Sequence, residues 1–238
     1  MEFNIRGGSW INGEGFGILS EIGANKSIAL THSDPIIPGA KELFHEPLQR
    51  YGRFDTFTKL GCAAAALALA DADRGKAANG ETWGMVIASD YEVMATDLEY
   101  YETTEEEGGA FSSPNLFSYT LPVITLGECA VYYKLTGPTF CVGDNGLRGL
   151  NALKCAASMM AQGKATSMIA GWLDAPPPLP ERGQPQKGHA GALFIVLDLS
   201  DEKIISLERK LHYKNNTFYN YQGNELKSLL DLFSSKEN

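Results

Sequence analysis

Apolar positions along the chain fall into blocks of two kinds, long all-round runs and short bounded ones. "DTFTKLGCAAAALALADADRG" predicts a helix from about Asp55 to Ala72, with Asp55 or Thr56 as its N-cap. From Leu60 to Ala70 it carries no charge on any side, so it should be buried nearly all round. "WGMVIASD" is a short apolar run between turn residues, the pattern of a buried parallel strand. "TDLEYYETTEEEGG" predicts a surface helix stopping at Gly108–Gly109, its glutamates forming a solvated face rather than a metal site. A further helix is expected to start near Pro122 and to stop before Gly137. The segment "GPTFCVGDNGLRGLNAL" then reads as a strand, Thr139–Gly143, a tight turn, and a helix from about Asn145 to Gly163.

In that last helix Arg148, Asn151, Lys154, Ser158 and Gln162 share one arc, while Leu150, Leu153, Ala156, Ala157, Met160 and Ala161 fill the other. One face should therefore pack inward, and the other should meet water or a polar interface. "ATSMIAGWL" and "AGALFIVLDL" supply two more strands, joined by the Pro-rich loop "APPPLPERGQPQKG". The chain starts with a Gly-rich opening, and "SIALTHSDPIIPGA" then reads as loop, with room for a short strand. The tail reads as a strand in "ISLERKLHYKN" and a terminal helix with Leu226, Leu229, Leu230 and Phe233 at i, i+3, i+4, i+7. Alternating helices and apolar strands predict an α/β protein whose mostly parallel sheet is covered by helices, with Thr139–Gly143 central. Residues 1–200 form the main domain, and residues 201–238 a C-terminal strand and helix extension packed on it.

Composition narrows the chemistry. The 29 acidic and 20 basic side chains leave a formal net charge of -9 with no basic cluster, which argues against nucleic acid and anionic membranes as partners. The four cysteines (Cys62, Cys129, Cys141, Cys155) form no C-x-x-C pair, so no metal site and no disulfide framework is expected, and reduced cytosolic thiols fit. No cofactor motif is present. The opening "MEFNIRGGSWINGEG" has no basic leader or apolar segment, and the longest apolar run is short of the ~20 residues of a membrane span. A cytoplasmic protein is expected.

Four segments in order resemble the N-terminal half of a β-ketoacyl synthase, a condensing enzyme of the thiolase fold. They are "RFDTFTKLGCAAAALALADA", "SPNLFSYTLPVITLGECAVYYKLTGP", "GPTFCVGDNGLRGLNALKCAASMMAQGKATSMIAGW" and "GHAGALFIVLDL", together roughly Arg50 to Leu199. The resemblance implies a thiolase-like half-fold and places the family's catalytic cysteine, at a helix N-terminus that would lower a thiol pKa and steady an oxyanion, on Gly146. Glycine offers no nucleophile. Its conformational freedom suits a sharp turn, which accounts for the residue by itself. Cys141 lies roughly 16 Å up the strand and Cys155 about 13 Å down the helix, so neither replaces it. Asp144 and Asn145 read as turn or pocket residues, most simply caps.

Active relatives also carry a second half with two histidines, or a histidine and an asparagine, and a lysine; here about forty residues follow the closing strand. His32, His45, His189 and His212 read as surface or loop histidines, and Val123 stands where the family commonly has asparagine. The resemblance therefore implies a catalytically degenerate β-ketoacyl synthase-like protein, a binding or partner subunit in fatty-acid- or polyketide-type acyl-chain biosynthesis. The alternative is an active 3-oxoacyl synthase or acyltransferase completed by a partner chain. Expected partners are a second copy or an active ketosynthase, and an acyl carrier protein. The strand Thr139, Phe140, Cys141, Val142, Gly143 has no charge or proline to guard an edge, and by the resemblance it lies beside its counterpart across a two-fold axis.

Overall fold

The computed structural model describes residues 1–23, 27–176, 188–199 and 209–234. Most of the Pro-rich loop and the first residues of the expected tail strand lie outside these. The strands are β1 (Glu2–Asn12), β2 (Gly15–Ile18), β3 (Trp83–Ser89), β4 (Thr139–Gly143), β5 (Ser167–Asp174), β6 (Gly191–Asp198), β7 (Lys210–Lys214) and β8 (Thr217–Asn220). The helices are α1 (Ala40–Leu43), α2 (Thr56–Asp71), α3 (Met94–Glu105), α4 (Pro114–Phe117), α5 (Val123–Tyr133) and α6 (Leu150–Ala161).

One sheet runs in the order β4-β3-β5-β6-β1-β7-β8, with β2 also pairing with β1. Helices α2 and α5 cover one face. Helix α6 and the C-terminal segment cover the other. The alternation is plain in β3, where Met85 and Ile87 enter the core under α2 and Val86 and Ala88 enter the core under α6. The α/β class stands, as does the all-round burial of α2: Asp55 accepts the Thr58 N–H at 2.9 Å as its cap, and Leu60 to Ala66 are buried throughout.

The expectation of a mostly parallel sheet is corrected. Only β3 with β4 and β3 with β5 are parallel; β5–β6, β6–β1, β1–β2, β1–β7 and β7–β8 are antiparallel. The apolar runs of β5 and β6 are buried at every position because helices cover both faces. A run of that kind reports two-sided burial, not strand direction. Nor is β4 central in this chain: it is the end strand, paired only with β3 among the described residues.

The N-terminal stretch read as a Gly-rich opening is in fact β1, eleven residues between β6 and β7. Its alternation is broken by a register shift between Ile5 and Gly7. Phe3 and Ile5 lie in the core under α6, but beyond the shift Trp10 faces that core and Ile11 the other. One inserted residue exchanges the faces, so no single period runs through the strand.

The expected terminal helix is a single 3₁₀ turn, Leu229–Leu232, preceded by the β7–β8 hairpin turning at Asn215 and Asn216. Leu226, Leu229 and Phe233 are nonetheless buried. The leucine spacing marks a buried face without a helix to carry it, since a short helix does not recover its nucleation cost.

Candidate functional site

Strands β3, β4 and β5 run the same way, and their C-terminal ends bring Ser89, Gly143 and Asp174 to one rim of the sheet. Open α/β sheets place ligand sites at such rims, because the chain there leaves the sheet in loops. The turn Asp144–Gly149 connects β4 to α6 at this rim.

The turn is longer than the sequence suggests. Regular helix begins at Leu150, not near Asn145, because Asn145 (φ 55°), Gly146 (74°), Arg148 (47°) and Gly149 (85°) all lie in the left-handed region. Gly149 is confined there as well by packing, since a Cβ would come within 2.5 Å of the Leu229 side chain. At Gly146 the position a Cβ would take has nothing within 4 Å. Gly146 is exposed, and its N–H donates to the Asp90 carboxylate at 3.1 Å. That amide already has an anion as its acceptor. It is not the free helix-terminal donor the sequence suggests.

Asp144 is fully buried; its Oδ1 accepts the Gly149 N–H at 2.8 Å, and its Oδ2 has no hydrogen-bond partner among the described residues. Burial pushes its pKa up, partly opposed by the Gly149 amide. Asp144 therefore pins the end of the turn rather than the first turn of α6. Asn145 is exposed at the start of the turn. Asn151 closes the loop, its Nδ2 donating to the Gly143 carbonyl at 2.9 Å.

Asp174, at the end of β5, accepts from Ser89 Oγ at 2.6 Å, from the Asp90 and Tyr91 amides at 2.9 Å, and from Trp172 Nε1 at 2.7 Å. Burial nevertheless lifts its pKa to about 6. Beside it, the Arg148 guanidinium lies 5.6 Å from the Trp172 ring centre and donates to His189 Nδ1 at 2.9 Å. His189 stacks on His32 at 4.3 Å, and His32 Nδ1 is 2.6 Å from the Gly188 carbonyl. His189, expected as a loop histidine, is half-buried and joined to the turn; His32 is exposed. Sequence reasoning missed this cluster because its members come from separate segments, Arg148 and His189 lying 41 residues apart and His32 more than a hundred residues from either. His45 is exposed, and His212 pairs with Glu2 at 3.3 Å, far along the sheet from this rim.

No thiol of the chain stands at the turn. Cys141 faces the core under α2 and α5, where burial, with Glu92 nearby, pushes it up to about 12. Burial also raises Cys155. Cys62 and Cys129 sit together in the core with sulfurs 3.7 Å apart. The raised thiols of Cys141, Cys155 and Cys62 are poor nucleophiles. On the strand itself Phe140 and Val142 face the core under α6, opposite Cys141. In α6, Leu150, Leu153, Ala156, Ala157 and Met160 are buried and Asn151, Lys154 and Ser158 partly exposed, as the arcs require, with Arg148 partly exposed in the turn before it; Ala161 alone of the apolar arc is exposed.

Among the described residues no group of three or more histidine, cysteine or acidic side chains is placed to hold a metal ion, and no helix is long and apolar enough to cross a membrane. A cleft of about 670 Å³ opens beside the rim, at the start of α2 and between α3 and α4, and Arg53, Lys59, Glu92 and Glu99 lie in its wall.

Residues 38–177 match the family described as "Beta-ketoacyl synthase, N-terminal domain", more than half of the chain, and the protein belongs to that family. No curated protein sequence matches it. Among solved structures, the ishigamide ketosynthase/chain length factor superposes with a TM-score of 0.61 at 19% identity, covering 86% of this chain and 64% of that one. A type II PKS acyl-carrier protein in complex with its ketosynthase bound to the hexaketide gives 0.60 at 15% identity, covering 83% and 62%. A β-ketoacyl synthase from Burkholderia phymatum STM815 gives 0.53 at 20% identity, covering 83% and 59%. The fold is the thiolase-like ketosynthase fold, and the chain spans under two thirds of the length of these neighbours.

Proposed function

We propose that this chain is a catalytically silent β-ketoacyl synthase-like subunit, acting in the cytoplasm beside an active ketosynthase in fatty-acid- or polyketide-type acyl-chain biosynthesis. The observation that carries the reading is Gly146. By the family resemblance it takes the nucleophile's place, yet it has no side chain, its amide is engaged by Asp90, and the cysteines nearest in sequence, Cys141 and Cys155, are held protonated by burial. A role in storing a bare alkyl chain has less support, because six charged side chains in the cleft wall, Asp34, Arg53, Asp55, Lys59, Glu92 and Glu99, would lose hydration to apolar carbon. Partnership has more. Among its fold neighbours, one is named for a ketosynthase with a chain length factor, and another pairs a ketosynthase with an acyl-carrier protein.

A second reading, an active synthase or acyltransferase completed by a partner chain, is favoured by one feature. The space at Gly146 is open to whatever abuts β4. One experiment tests the first reading. The chain, alone and co-purified with ketosynthase from its native host, is incubated with an acyl-thioester donor and each polypeptide weighed by intact-mass spectrometry. The silent-subunit reading expects acyl adducts on the ketosynthase only. A stable adduct on this chain, lost when Cys141 or Cys155 is replaced, overturns it.

A further inference from the structure

Arg148 stands apart from the other arginines of the described structure. Arg6, Arg50, Arg74 and Arg209 each pair with an aspartate or glutamate, and Arg53 is exposed to solvent. Arg148 is half-buried, pairs with no carboxylate at salt-bridge distance among the described residues, and donates instead to a histidine. A guanidinium has only donors, so the His189 Nδ1 lone pair must be the acceptor, and the ring proton then sits on Nε2 as another donor. His32, whose Nδ1 must donate to the Gly188 carbonyl, adds a second imidazole stacked against the first.

The Arg148 guanidinium over Trp172 and the free ring N–H of His189, backed by His32, thus meet in a protein with a net charge of -9. Of the neighbouring carboxylates, Asp174 is engaged by four donors and Asp90 by the Gly146 amide; Asp144 accepts the Gly149 amide on Oδ1, and its Oδ2, buried without a hydrogen-bond partner among the described residues, feels the Arg148 charge but makes no salt bridge with it. Arg148 is also held at φ 47°, a conformation costly for a side chain of this kind. A strained, half-buried guanidinium without an acid is an incomplete ion pair. An oxyanion would complete it.

We infer that Arg148 and His189, with His32 stacked on His189 and holding the Gly188 carbonyl, form a binding site for a small oxyanion, the phosphate or carboxylate group of a ligand, at the rim beside the β4–α6 turn. Planar guanidinium donors suit the paired oxygens of either group, and the imidazole N–H adds a donor from another direction. This inference is independent of whether the chain works with a ketosynthase.

The four histidines provide their own controls. Imidazole resonances of the full chain are followed by ¹H–¹⁵N NMR during titration with inorganic phosphate and, separately, with acetate. Saturable shifts are expected at His32 and His189 and not at His45 or His212, and the tighter of the two anions identifies the ligand group. Arg148→Gln should weaken binding by about tenfold or more, the loss of a charge-assisted hydrogen bond. His32→Gln, on an exposed residue, should weaken it as well by removing the stack on His189. No saturable shift with either anion, equal shifts at all four histidines, or undiminished binding in both folded variants would overturn the site.

Discussion

Asp174 carries the sharpest pH dependence to be expected of a single residue. Its carboxyl titrates near 3.8 in an unfolded chain and at about 6 in the fold, because burial penalises the charge more than its four donors favour it. The folded state therefore binds the proton more tightly, and unfolding releases it between those values. This contribution to stability is fully present below the unfolded pKa and is lost as pH rises through about 6. The full effect is about 3 kcal/mol, from roughly 1.4 kcal/mol per pH unit. Other acids titrate in the same range, so the observable is the difference between the wild type and Asp174→Asn, which mimics the neutral acid. Urea unfolding across the window should show the wild type losing stability relative to the variant as pH rises. A constant difference would mean that Asp174 is ionised throughout. None of this is legible in "AGWLDAPP", where the aspartate looks like a loop residue following a strand; its burial is set by Ser89 and Trp172 closing around it.

At the scale of elements, the C-terminal segment fastens the β4–α6 turn from outside. The Leu229 N–H donates to the Arg148 carbonyl at 2.9 Å, and its side chain lies against the space a Gly149 side chain would take. With Leu226 and Phe233 it closes the core under α6. Leu229→Ala should therefore cost about 2–4 kcal/mol through the cavity it leaves, and it should act on the turn as well as on overall stability. Hydrogen exchange at the Gly149 amide, bound to buried Asp144, should accelerate beyond the change in the β5 amides; equal acceleration would mean that the segment adds only general stability. The leucine spacing revealed this burial before the structure did, yet it suggested a helix where only one 3₁₀ turn forms. Where burial is all-round, as in α2, the sequence reading and the structure agree to within a residue at each end. Where backbone geometry decides, they part. The bulge of β1 exchanges its faces, and the left-handed residues Asn145 and Arg148 delay α6. No side-chain pattern reports either. The place of Gly146 in the turn was legible, but the cluster of Arg148, His189 and His32 was not, because contacts between distant segments leave no local period.

For the whole molecule, the open question is the free edge of β4. The strand is uncharged, it ends the sheet, and beside it α5 exposes Val123 and Val131, the latter 81% accessible. A flat apolar edge of this kind invites pairing. Its geometry allows a clean test. The Pro138 carbonyl accepts from the Met85 amide and the Asp144 amide donates to the Ser89 carbonyl, so alternate residues of β4 face β3. By that alternation the N–H and C=O of Cys141 point to the free side. Antiparallel pairing about Cys141 with a second copy, or with a ketosynthase of the same fold, would use both groups. A proline at Cys141 removes that outward donor and leaves the ladder to β3 intact, so it should separate association from folding. Light scattering is expected to find the wild type as a dimer, or as a heteromer when co-expressed with ketosynthase, and Cys141→Pro as monomer or as insoluble protein. Unchanged far-ultraviolet circular dichroism in any soluble variant would tie the loss to the edge. A wild type that stays monomeric at high concentration, alone and with ketosynthase present, would remove this edge from the proposal and leave any partnership to another surface.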